Sequence, residues 1–149
     1  MSRFESELVH LLNSFFVEND IRAVAYRIRQ SMFTSQVADV LVDSPLKEYY
    51  LAIECKSVSL STGVKALYFS QHFAKNQIER MEEFLKLSGR TGVLMVELRE
   101  GKGRPRRICV VPWKNVMRKF LSNEVGFYIG ELQTYPDLKK HIHPGMWYE

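Results

Sequence analysis

Asp39, Glu54 and Lys56 are the residues whose types and spacing invite chemistry. They lie in the stretch QVADVLVDSPLKEYYLAIECK, residues 36 to 56, where two runs of β-branched and aromatic residues flank a turn-forming DSP. Strands of this composition bury a face, and charge on a buried face is costly without a partner. Side chains alternate along a strand, so Glu54 and Lys56 share one face while Cys55 points the other way. Asp39 sits within the preceding run, close enough across the pairing for its carboxylate to approach Glu54. Two converging carboxylates repel each other. A divalent cation removes that conflict, and Mg²⁺ favours a few carboxylates, some water and oxygen from the substrate. The main-chain carbonyl of Cys55 would complete the protein's share. Lys56 would then orient an attacking water or balance charge at a phosphate.

Two more polar residues point inward from helices. Residues 4 to 17 carry Leu8, Val9, Leu11, Leu12, Phe15 and Phe16 at helical spacing, with Ser2 as N-cap. Glu5 falls inside that apolar stripe and needs a partner, whereas Glu7 falls nearly opposite and should face water. A second helix is expected from about Phe73 to Leu87, with Ile78, Met81, Phe84 and Leu85 on its inner face and Gln77 beside them. A strand over residues 21 to 29 carries Arg22, Arg27 and Arg29. The spacing further predicts two apolar strands, in GRTGVLMVELRE and RRICVVPW, joined by an exposed basic loop, GKGRPR, and then a short helix over residues 113 to 121. The segment from residue 122 onward is irregular. The resulting order, α-β-β-β-α-β-β-α, predicts one α/β layered domain over residues 1–149, a mixed sheet flanked by helices.

Bulk composition sets the bounds. A chain of 149 residues, 46% hydrophobic and 26% charged, has the size and balance of one globular domain. It contains no apolar run long enough to span a membrane, and MSRFESELVH lacks the basic and apolar regions of a signal peptide, so an intracellular setting is expected. Cys55 and Cys109 are too few for a disulfide framework and are expected as reduced, half-buried strand residues. A net charge of +4 is compatible with a polyanionic partner, and lysine and arginine concentrate in GKGRPRR, WKNVMRK and DLKK. No GxGxxG or P-loop pattern suggests NAD or ATP. His141 and His143 would both reach a metal only if their segment were a strand; His10 and His72 have no nucleophile nearby in sequence.

AD at 38–39 followed by IECK at 53–56 resembles the PD-(D/E)xK nuclease superfamily, and more closely the archaeal Holliday junction resolvases within it. The similarity extends over roughly residues 3 to 120 and includes ECKS, NQIERMEEF and VVPW. Ala38 stands where that family usually has proline, and the tail from Ser122 to Glu149 has no counterpart in the resemblance. The resemblance implies a restriction-endonuclease-like fold and a metal-dependent DNA endonuclease, with Mg²⁺, or Mn²⁺ as substitute, held by Asp39, Glu54, the Cys55 carbonyl and Glu5. It assigns Lys56 to the nucleophile and Gln77 to the edge of the site, with Ser31 or Ser35 as a further active-site serine. Arg27, Arg29, Ser35, Lys102, Arg104 and Arg106 are the candidate DNA contacts, and symmetric cutting of two strands implies a homodimer. Two alternatives stay open: a restriction or repair-type nuclease on duplex, nicked or single-stranded DNA, and a catalytically silent resolvase-like DNA-binding protein.

Overall fold

The computed structural model describes residues 3–28 and 37–148. Its centre is a five-stranded mixed sheet in the order β1-β2-β3-β5-β6, built from β1 (Val24–Arg27), β2 (Val40–Asp43), β3 (Leu51–Ser59), β5 (Thr91–Arg99) and β6 (Arg107–Pro112). β1, β2 and β3 are antiparallel neighbours, β3 and β5 run parallel, and β6 returns antiparallel to β5. The parallel pair lies at the centre, and β5 is buried from Gly92 to Leu98, as expected for a strand covered on both faces.

Helix α1 (Arg3–Glu18) covers one face, burying Phe4, Leu8, Leu12 and Phe16 against Ile53, Cys55, Val93 and Met95. On the opposite face, α3 (Gln77–Ser88) and α4 (Trp113–Leu121) pack through Ile78, Met81, Trp113 and Val116 onto Ala52, Leu94 and Val111. Gly92 lets the second layer come close, since a Cβ there would lie 2.4 Å from Leu85 and 2.9 Å from Trp113.

Several expectations change. The strand expected over residues 21–29 shortens to Val24–Arg27, and Asp39 stands just ahead of β2 rather than inside it. The polar stretch expected after Lys56 continues β3 as far as Ser59, because β5 pairs with it along its whole length. The helix expected from Phe73 begins only at Gln77: a short helix, α2 (Phe69–His72), precedes it, Phe73 is extended, and Asn76 adopts the left-handed conformation with φ of 62°. The irregular tail holds structure of its own. β4 (Ala66–Tyr68) and β7 (Gly126–Tyr128) pair as a second, two-stranded sheet, followed by α5 (Ile129–Leu132) and α6 (Gly145–Tyr148).

Candidate active site

The pairing of β2 with β3 ends at Val40 opposite Ile53, although β3 runs six residues further. Beyond that point, among the described residues, no strand pairs with that edge of β3, and Asp39, just ahead of β2, bonds to it. The Asp39 amide donates to the Ile53 carbonyl at 3.0 Å, and the Asp39 carboxylate accepts from the Cys55 amide at 2.8 Å. A side chain thus takes up the edge amide of Cys55. The amide and carbonyl of one strand residue point to the same side, so the Cys55 carbonyl is directed to that same edge.

Alternation sends the Cys55 side chain into the core under α1 and Glu54 and Lys56 to the face of α3, as the sequence predicts. Both cysteines are free and buried. Burial first, then the carboxylates of Asp39, Glu54 and Glu5, push the Cys55 thiol well above its ordinary value, which leaves it inert.

Glu54 is only 3% exposed. Burial, and next the Asp39 carboxylate, push its pKa up to about 8, against the pull of Lys56 and Gln77. Lys56 lies 3.2 Å from Glu54, 3.3 Å from the Gln77 amide oxygen and 4.5 Å from the centre of the Phe73 ring. Gln77 bonds through both ends of its amide. Its nitrogen donates to Glu54, and its oxygen accepts from Lys56 and, at 3.0 Å, from the Ala74 amide. The left-handed turn at Asn76 sets Gln77 at the head of α3, where its amide orients both partners.

Glu5 enters from α1. Burial first and Asp39 second raise its pKa, against the Arg27 guanidinium bound to it at 2.9 Å. Arg27 also donates to Ser6 at 3.0 Å, so the side chain expected to contact phosphate is here tied to α1. Arg29, Ser31 and Ser35 lie outside the described residues. Among the described residues, no three of His, Cys, Asp and Glu stand together as a metal cage. Mg²⁺ asks less than a cage, since one or two carboxylates, with water and substrate oxygens, commonly hold it. Asp39, Glu54 and the Cys55 carbonyl are hard oxygen donors of that kind, and a cation between the carboxylates would offset the repulsion that raises Glu54. The residues fit the ion.

The cationic expectations divide. Lys102 and Arg104 are exposed in the loop between β5 and β6, as predicted. Arg106 is spent inside the protein, its guanidinium binding both Glu97 and Glu7. Glu7, expected to face water, therefore meets a partner ninety-nine residues away in sequence. Glu97, 1% exposed, also accepts from Ser57 at 2.7 Å and Arg99 at 3.1 Å. Burial works to raise its pKa, but these donors outweigh it and hold the carboxyl below its usual value. Lys119, in the basic run WKNVMRK, is likewise consumed by Glu124 at 3.0 Å and Glu131 at 2.6 Å. His141 and His143 lie with ring centres 4.9 Å apart and planes tilted by 37°, in a segment that is not a strand.

No family model and no curated protein matches the sequence. Among solved structures, the chain is similar to Hjc, a Holliday junction resolvase from the archaeal hyperthermophile Archaeoglobus fulgidus. The TM-score is 0.53 at 17% identity, and the match covers 88% of this chain and 96% of that one. The mixed five-stranded sheet flanked by helices is thus a nuclease-like fold, as the sequence predicts. Among the described residues, no helix is long and apolar enough to cross a membrane.

Proposed function

We propose that this chain is a metal-dependent endonuclease that hydrolyses DNA phosphodiesters, selective for four-way junctions and acting inside the cell as a homodimer. One observation carries the reading: where the pairing of β2 with β3 ends, Glu54 is buried beside Asp39 and beside Lys56 and Gln77. The fold shared with a Holliday junction resolvase supports it.

Asp39, Glu54 and the Cys55 carbonyl would hold Mg²⁺, or Mn²⁺ in its place, with Glu5 joining through water. Bound there, the ion supplies Lewis acidity at the phosphate and lowers the pKa of a water. The chain's own groups do the rest. Lys56 orients the nucleophile and balances charge that builds on the phosphate in the transition state. Gln77 fixes Lys56 and Glu54 relative to each other, so little reorganisation remains when the substrate arrives. Arg27 keeps Glu5 turned toward the cluster. Water adds to phosphorus, the bond to the 3′ oxygen breaks, and the products carry a 5′-phosphate and a 3′-hydroxyl. A two-fold dimer would present two such sites to the paired strands of a junction.

The test is cleavage of end-labelled four-way junction, linear duplex and single-stranded DNA, in Mg²⁺ and in EDTA. Paired, symmetric, Mg²⁺-dependent cuts confined to the junction are expected. Cutting of linear DNA would keep the site and discard the junction preference. Binding of the junction with no cleavage in Mg²⁺ or Mn²⁺ would replace the enzyme by a silent binding protein.

A further inference from the structure

At the far end of β3 the chain builds a second charged feature. A cleft of about 460 Å³ lies between the end of β3 and the loop that joins β5 to β6. Ser59, Ser61, Arg99, Lys102 and Arg104 line it, with Lys139 from the tail.

Two of the carboxylates near it, Glu97 and Glu7, are already engaged, while Glu100, between Arg99 and Gly101, leaves the loop one negative charge against its cations. Glu97 is occupied by Ser57, Arg99 and Arg106, and Glu7 by Arg106 and Arg3. Arg99 commits its Nε to Glu97, yet its side chain remains 54% exposed. Lys139 donates to the Arg106 carbonyl at 3.1 Å. Among the described residues, Lys102 and Arg104 make no ion pair. The Ser59 and Ser61 hydroxyls are 2.8 Å apart. One proton serves that bond, and the other is left to donate outward. Cations and hydroxyl donors around an open cleft match the oxygens of a backbone phosphate and do not suit an apolar group.

We propose that this cleft holds a second backbone phosphate of the nucleic acid, away from the bond that is cut. The inference rests on the nuclease reading above and adds a second contact with the substrate. Ser59 lies three residues beyond Lys56 on the same strand, about 10 Å along it at ~3.3 Å per residue, and alternation turns it to the α1 face, opposite Glu54 and Lys56. The cleft, lined also by Arg106 that binds Glu7 of α1, thus opens on the other face of the sheet, and the phosphate it takes is remote from the one attacked. The cleft contributes affinity and register, and no step of the reaction.

The experiment is the salt dependence of binding to labelled four-way junction DNA in EDTA, measured by fluorescence anisotropy. It compares the parent with Lys102→Ala/Arg104→Ala, two exposed positions that leave the core untouched. Loss of that one phosphate contact should lower the slope of log K against log salt by about 0.9, with weaker binding throughout. Lys102→Arg/Arg104→Lys should retain the parent slope. An unchanged slope and affinity in the double alanine variant, with the parent cutting DNA, would overturn the second site alone. A loss of the single-turnover cleavage rate at saturating protein without loss of affinity would also overturn it, since the loop would then act in the chemistry. A parent that neither binds nor cuts DNA would remove both readings together.

Discussion

Glu54 combines deep burial with a second carboxylate nearby, and both keep a proton on it up to about pH 8. Its folded value lies above the ordinary value of 4.5, so the folded protein binds more protons between these limits. The stability it contributes is full below about pH 4.5 and is lost as pH rises through about 8. Metal-free protein should therefore weaken across that window, and Glu54→Gln should flatten the profile and be the more stable of the two at its alkaline end. Urea titrations in EDTA at several pH values test this; parallel profiles would contradict it. Mg²⁺ should restore stability to the parent at the alkaline end by mass action, and do little for Glu54→Gln. At this scale the sequence was informative. Strand alternation separates Glu54 and Lys56 from Cys55, and helical spacing turns Glu5 inward. It misdirects Glu7, because a helical wheel gives a direction but not what the fold brings to meet it. Arg106 comes from the other end of the chain, and no local pattern announces it.

Among the elements, α1 is held from both sides of the site. Arg27 of β1 takes Glu5, and Arg106, just ahead of β6, takes Glu7 while also binding Glu97. Glu97 in turn holds Ser57, the residue next to Lys56. Arg106→Ala should cost about 2 kcal/mol, the worth of a hydrogen bond to a charged group together with the partner left behind. Urea unfolding measures it, and Arg106→Lys, which keeps the charge but not the two-pronged fork, should recover only part. A loss within experimental scatter would mean that Ser57 and Arg99 satisfy Glu97 without it. Helices α1 and α4 are readable in the sequence because both repeat apolar residues every three to four positions. The late start of α3 is not, since Phe73 and Ala74 continue the apolar pattern while the chain turns at Asn76. Strands β4 and β7 have three residues each, too few for any periodicity, and exist because each supplies the other's hydrogen bonds.

Across the whole molecule, the tail that the sequence leaves unassigned closes the fold. Its Pro136–Leu138 segment bonds to the outer edge of β6, with Val110 donating to Pro136 at 3.0 Å and Leu138 to Ile108 at 2.9 Å. That covers an edge otherwise open to pairing with another chain. Trp147, 2% exposed, packs edge-on to Tyr49 and donates to the Glu48 carbonyl at 2.8 Å. Trp147→Ala should cost about 3–5 kcal/mol through the cavity it leaves, visible as a lowered urea midpoint. The irregular spacing of prolines and aromatics hides these contacts from sequence reading, since each is made with a partner far along the chain.

The most direct measurement is the single-turnover rate of junction cleavage in saturating Mg²⁺, for the parent and Lys56→Ala, alongside the junction affinity of each. Lys56 touches both Glu54 and Gln77 beyond the end of the β2–β3 pairing. Its loss should lower the rate by about a hundredfold or more, the scale of removing one group that stabilises transition-state charge, and leave affinity nearly unchanged. Equal rates for parent and variant would contradict a nuclease site at the edge of β3.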